Sequence, residues 1–212
     1  KQLPTTLERY AKVYRDAGFN LDLNRLKLGP LQIDASDEAR HFFNDHPGSW
    51  VGIAPFAKHK GKRYPLEKME DLIAKIVDQY DFVMLFGGGP KEIQKLESLE
   101  AKFKNAISLA GKFSLDDELF LMMNLKWMLC MDSANMHMAA LAGVRTFSIW
   151  GATHPYAGFL SYNHKEEDVI QIAHDELDCR PCSVYGNKSC HRGDYACLNW
   201  ITTEMILNKL QF

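Results

Sequence analysis

Residues 127–143 read WMLCMDSANMHMAALAG. An apolar run gives way at Asp132 to small and polar residues, and these open a stretch rich in Ala and Met that favours a helix. Gly143 is placed to end that helix. A run apolar on both faces is the pattern of a strand buried inside a parallel sheet. A helix directly after such a strand is the first half of a strand–helix–strand crossover. The stretch therefore predicts a strand over 127–132, with Ser133, Ala134 and Asn135 beginning the helix that carries His137.

The same alternation repeats on both sides. Toward the C-terminus, TFSIWG (146–151) and DVIQIA (168–173) read as strands, and TTEMILNKL closes the chain as a helix. Toward the N-terminus, WVGIA (50–54), FVMLFG (82–87) and AISLAG (106–111) read as strands. Between them lie helices over 66–80, over EIQKLESLEAKF, and over 114–124, the last opened by a Ser-x-x-Asp capping pattern. Apolar runs separated by amphipathic helices predict a parallel sheet covered on both faces. Right-handed crossovers make it a doubly wound, Rossmann-like α/β domain over residues 47–212. Upstream, TLERYAKVYRDAG (6–18) reads as a short helix with Leu7, Tyr10, Val13 and Tyr14 on one stripe. A connector follows, and then a second helix from Asp34 to about Phe43.

The chain has 212 residues, of which 46% are hydrophobic and 25% charged, as in ordinary globular proteins. A net charge of -2 provides no global field for nucleic acid or anionic membrane. No apolar run approaches the roughly 18 residues of a membrane span. The N-terminal KQLPTTLERYAKVY has no apolar signal-peptide core. Its first residue is Lys, which fits a processed or cut chain, and the protein reads as cytosolic.

In doubly wound sheets, ligands bind outside the carboxyl ends of the strands, and three loops there are chemically loaded. PFAKHKGKRYP (55–65) brings Lys58, His59, Lys60, Lys62 and Arg63 between the first strand and its helix. FGGGPKE (86–92) follows a strand with three glycines, which permit close backbone approach to a ligand, and Glu92 can accept from a ribose. It matches neither GxGxxG nor a P-loop, which argues against an oxidoreductase. Asp132 to His137 forms the third loop: Asp132 is a candidate N-cap, and a helix start is an anion site. Taken singly, each has a structural explanation as a solvated loop, a tight turn or a helix cap. Their common position at one sheet edge points to a phosphate-bearing ligand.

DSANMHMAALAG with the following TFSIWGATHP resembles the Asp-Ser-Gly-x-Met-His-x-Ala-Ala-x-x-Gly signature of glycosyltransferase family 9, the lipopolysaccharide heptosyltransferases. PFAKHKGKRYP, FGGGPKE and LAGKFSL (109–115) match further family motifs in order, and the resemblance spans roughly 47–205. Ala134 stands where the signature has Gly, Phe56 where a Gly follows Pro55, and His154 where a loop has Asp. The resemblance implies the C-terminal half of a GT-B fold, the domain that binds a nucleotide-sugar donor such as ADP-heptose. It implies Lys62 on the donor phosphate, with Arg63 beside it, Glu92 on the sugar of the nucleotide and Phe113 near the base. Ser133 and Ala134 would offer backbone donors to the diphosphate, with Asp132 and His137 lining the same site. Neither metal nor cofactor is implied. Residues 1–46 resemble the last helix and linker of a missing N-terminal acceptor domain. The catalytic base belongs to that domain, so this chain alone is expected to lack it. The resemblance further implies a glycolipid acceptor and a cytoplasmic protein at the inner face of the bacterial inner membrane, associating peripherally through the full-length chain. A non-catalytic nucleotide-sugar-binding domain is the alternative.

Four of the five cysteines, Cys179, Cys182, Cys190 and Cys197, crowd into one segment. Only the first pair has the CxxC spacing of a zinc knuckle. The spacing favours reduced structural thiols over a metal site.

Overall fold

The computed structural model describes residues 2–25 and 31–210; residues 26–30, inside the connector read from the sequence, lie outside the described residues. Six strands form one sheet: β1 (Trp50–Ala54), β2 (Phe82–Leu85), β3 (Ala106–Ser108), β4 (Leu125–Met131), β5 (Thr146–Ile149) and β6 (Val169–Ile170). All neighbours pair in parallel, in the order β3-β2-β1-β4-β5-β6. The eight α-helices among the described residues are α1 (Thr6–Asp16), α2 (Asp37–Asp45), α3 (Leu66–Ile76), α4 (Pro90–Glu100), α5 (Leu115–Met122), α6 (Ala134–Leu141), α7 (Ala196–Asn199) and α8 (Thr203–Leu210).

Side chains alternate across each central strand and so feed two cores. Val51 and Ile53 of β1, with Trp127, Leu129 and Met131 of β4, meet Met69, Leu72 and Ile73 of α3 and Ile206 of α8. Trp50, Ala54 and Cys130 face the opposite way, onto Leu121 and Met122 of α5 and Met136 and Ala139 of α6. Each fully buried large apolar side chain contributes about 1.5–3 kcal/mol, so the two-sided patterning dominates the sheet's stability.

Helix α2 packs on the second face, where Phe43 meets Trp50 edge-on at 5.2 Å between ring centroids. Asp117 ties this helix to α5: its carboxylate accepts from the Ser36 amide at 2.7 Å and from the Ser114 hydroxyl at 2.8 Å. Those bonds hold the Asp117 carboxyl below its ordinary pKa, the Ser36 amide contributing most. Ser114 is the N-cap of α5, as the Ser-x-x-Asp pattern predicts.

Most strands are shorter than the apolar runs that announce them, while β4 begins two residues earlier than expected, at Leu125, and ends one earlier, at Met131. β2 ends at Leu85, β3 at Ser108 and β6 at Ile170, although Phe86, Leu109 and Ile172 are buried beyond them. Apolarity reports burial, whereas a strand also needs a continuing ladder: the Phe86 and Leu109 amides still donate to the Ile53 and Leu85 carbonyls, both at 2.9 Å, and the strands end there. Helix α1 departs further from expectation. Its stripe of Leu7, Tyr10, Val13 and Tyr14 is exposed, and only Ala11 is buried. The helix is held instead at its start, where the Leu3 and Thr6 amides donate to the Tyr156 and Gly158 carbonyls at 2.8 and 2.7 Å. Among the described residues, no helix is long and apolar enough to cross a membrane.

Both nitrogens of the His164 imidazole engage serine hydroxyls, Ser148 at 3.0 Å and Ser161 at 3.1 Å. Desolvation holds His164 below its ordinary pKa of 6.5, with Asp168 opposing. The unfolded chain therefore binds this proton more readily, so stability rises with pH between the depressed folded value and about 6.5. His164 contributes fully above that window, and its contribution is lost as pH falls through it. His164→Gln should shrink the stability loss between about pH 7.5 and 5.5 in urea titrations. An unchanged loss would mean that other groups carry the pH dependence.

Candidate functional site

The strand order reverses at β1. The chain moves outward from β1 to β2 and β3, then returns to place β4 on the other side of β1. A crevice opens at such a switch point, between the carboxyl ends of the two strands. The loop after β1 carries Lys62 and the loop after β4 carries Asp132 and Ser133.

Lys62 and Asp132 meet there: the Lys62 ammonium stands 2.8 Å from Asp132 Oδ2, with side chains 15% and 5% exposed. The Thr153 hydroxyl, fully buried in the loop after β5, donates to the same oxygen at 2.7 Å. Asp132 was a candidate N-cap, but the cap position of α6 is Ser133, whose φ of -150° and ψ of 175° are extended. The Asp132 carboxylate turns instead to Lys62 and Thr153, because a buried carboxylate is better compensated by a cation than by an amide. Ser133 caps nothing, and its hydroxyl is buried without a hydrogen-bond partner. Ala134 is the first helical residue and needs no positive φ, which explains how Ala serves where the family signature has Gly.

His137 lies one turn into α6 and reaches solvent. Its imidazole is held below the ordinary pKa chiefly by desolvation, with Asp132 opposing and Lys62 reinforcing. At neutral pH the histidine is uncharged and Lys62 supplies the cation.

The other expected site residues spread along the edge. Arg63 turns away from Lys62. Its guanidinium donates to the Ala57 and Lys58 carbonyls, bracing the basic loop, and it lines an open cleft of about 610 Å³ on the α3 side. Glu92 stands in the first turn of α4 and accepts from the Gly88 amide at 3.1 Å, closing the glycine turn. Only Gly89 of the three glycines takes a positive φ, 81°. Phe113, half-buried after β3, packs edge-on against Phe42 at 5.3 Å. Lys62, Asp132, Ser133, Ala134 and His137 are thus gathered at the switch point, whereas Glu92 and Phe113 border it toward β2 and β3.

The sequence reading did not single out Thr153, Gly61 or Gly151 as site residues. The Ala152 amide donates to the Gly61 carbonyl at 2.8 Å, and a Cβ on Gly151 would stand 2.6 Å from that same oxygen. This close approach seats the basic loop on the loop after β5. None of the five cysteines is in a disulfide. Burial raises Cys197 to about 11, which leaves it protonated and a poor nucleophile.

A sequence profile described as glycosyltransferase family 9 (heptosyltransferase) matches residues 1–189. The chain belongs to glycosyltransferase family 9. No curated protein sequence matches it. Among solved structures, it resembles E. coli ADP-heptose lipopolysaccharide heptosyltransferase II with a TM-score of 0.62 at 21% identity, over 98% of this chain and 63% of that one. A family 9 glycosyl transferase from Veillonella parvula DSM 2008 superposes with a TM-score of 0.75 at 17% identity, over 99% of this chain and 59% of that one. E. coli heptosyltransferase WaaC, solved with ADP, gives 0.57 at 21% identity, over 80% and 50%. At these identities the likeness shows the fold, a six-stranded parallel sheet of the GT-B-like glycosyltransferase kind. This family 9 chain spans about half to two thirds of the length of those proteins.

Proposed function

We propose that this family 9 chain binds the nucleotide-sugar donor of a glycosyl transfer, ADP-heptose being the donor that the resemblance favours, for delivery to a lipopolysaccharide-type acceptor. The observation that carries the reading is the cation of Lys62 at the switch point, beside the start of α6 and the unpartnered Ser133 hydroxyl. In glycosyl transfer the leaving group is a nucleoside diphosphate. Its developing charge is stabilised by donors already fixed in place: the Lys62 ammonium, the first amides of α6 and the Ser133 hydroxyl. In this reading the cation and the amides supply the stabilisation without a metal.

Glu92 and Phe113 border the site on the side where a ribose and base would extend. We assign donor binding to residues 47–212 and deprotonation of the acceptor to residues outside this chain. A glycolipid acceptor would bring the whole protein to the inner face of the bacterial inner membrane.

The test is titration calorimetry with ADP and adenosine. Lys62→Ala should weaken ADP binding by about 1.5–3 kcal/mol, the contribution of a hydrogen bond to a charged group. Adenosine has no diphosphate, so its affinity should not change. Lys58→Ala should do little, because Lys58 is exposed and its charge is screened. Equal ADP affinity in wild type and Lys62→Ala would refute the donor reading.

A further inference from the structure

The segment bearing the four cysteines contains a buried cation that the site so far described does not use. Arg180 is 3% exposed. Its guanidinium donates to the Gly151, Ile172 and Thr153 carbonyls at 2.9, 2.7 and 2.8 Å, and to Gln171 Oε1 at 2.9 Å. Among the described residues no carboxylate is among its partners. Burying an uncompensated guanidinium is costly, and four neutral acceptors matched to its planar fork offset that cost.

Those acceptors are not scattered. Gly151 and Thr153 flank Ala152, the residue on which the Lys62 loop is seated. Thr153 carries the hydroxyl that fixes Asp132, and Asp132 holds Lys62. Two more contacts come from the same segment. The Cys182 amide donates to the Ala152 carbonyl at 2.8 Å. Gly186 lies against the Lys62 stem, where a Cβ would stand 2.9 Å from Lys62 Cγ.

We propose that Arg180 is a positioning residue for the donor site, acting through Thr153 and Asp132 to aim the Lys62 ammonium at the start of α6. This rests on the donor-binding reading above and adds a residue that need not touch the ligand. A side chain that merely stabilised the fold would change ADP and adenosine affinity alike, and independently of Lys62. A positioning residue changes only what Lys62 contributes.

The experiment is a double-mutant cycle read by calorimetry, with circular dichroism confirming that each variant is folded. Arg180→Lys keeps the charge and loses the planar fork, and Thr153→Val removes the hydroxyl link with little change in volume. Each should weaken ADP binding about tenfold and leave adenosine affinity unchanged. In a Lys62→Ala background neither should have any further effect, because coupled groups are non-additive. If Arg180→Lys fails to fold, Thr153→Val carries the same test. Wild-type ADP affinity in the folded variants would overturn the proposal, as would an undiminished loss in the Lys62→Ala background or equal losses for ADP and adenosine. A wild type that does not bind ADP would overturn the donor reading, and this proposal with it. A wild type whose binding depends on Lys62 but not on Arg180 or Thr153 would overturn the positioning role alone.

Discussion

Asp132→Ala is expected to lower unfolding free energy by about 3–5 kcal/mol, the cost of removing one member of a buried ion pair. The carboxylate is nearly inaccessible and compensates both the Lys62 ammonium at 2.8 Å and the Thr153 hydroxyl at 2.7 Å. Removing it leaves a mostly buried cation without its counter-charge and a buried hydroxyl without its acceptor. Asp132→Asn should cost less, because its amide oxygen still accepts from Thr153 and from Lys62, although the Coulombic attraction is gone. Both variants should also bind ADP more weakly, since a lysine that is no longer held can leave the crevice. Urea unfolding gives the stability and calorimetry gives the affinity. A loss below about 1 kcal/mol for Asp132→Ala would place the pair among surface-like ion pairs of little net value.

Trp127→Ala should cost a similar amount, about 3–5 kcal/mol, for a different reason. Trp127 is buried in β4 and packs edge-on against Tyr80 and Phe147, at 5.6 and 6.2 Å between centroids. Its indole N–H donates to the Tyr80 hydroxyl at 3.0 Å. Truncation opens a cavity under α3 and α8 and removes that partner from Tyr80. Trp127→Phe fills most of the volume and should recover much of the loss. ADP affinity of the folded variant should match wild type, because Trp127 lies in the first half of β4, away from the carboxyl end that leads to Asp132 and Ser133. A large affinity loss in folded Trp127→Ala would mean that the core and the crevice are mechanically coupled. Together the two substitutions separate stability that belongs to the site from stability that belongs to the sheet.

Much of the architecture was legible from residue order. Strands buried on both faces must be apolar throughout, and helices lying on a sheet must be amphipathic, so the alternation from Trp50 to Leu210 declares a doubly wound sheet. WVGIA matches β1 residue for residue, and Ser114 caps α5 as its pattern predicts. The three loaded loops were legible for the same reason: in a parallel sheet every strand-to-helix loop emerges on one edge. Local pattern failed where distant parts of the chain compete for the same group. Asp132 reads as a helix cap, because a cap is all that its neighbours in sequence can offer. Only folding brings Lys62 and Thr153 to its carboxylate. Arg63 and Lys62 look equivalent side by side, yet the short 3-10 turn at Lys60–Lys62 sends one to backbone carbonyls and the other to Asp132. Arg180 between two cysteines carries no periodic signal, since its acceptors are carbonyls, which any residue supplies. The stripe on α1 shows the opposite case, a pattern that predicts the helix but not its burial. Sequence alone determined the alternation of strands and helices from Trp50 onward, because it follows from local propensity and periodicity, whereas the short helix α7 left no such signal. Tertiary structure decided which charges meet, because that depends on the distances between segments far apart in the chain.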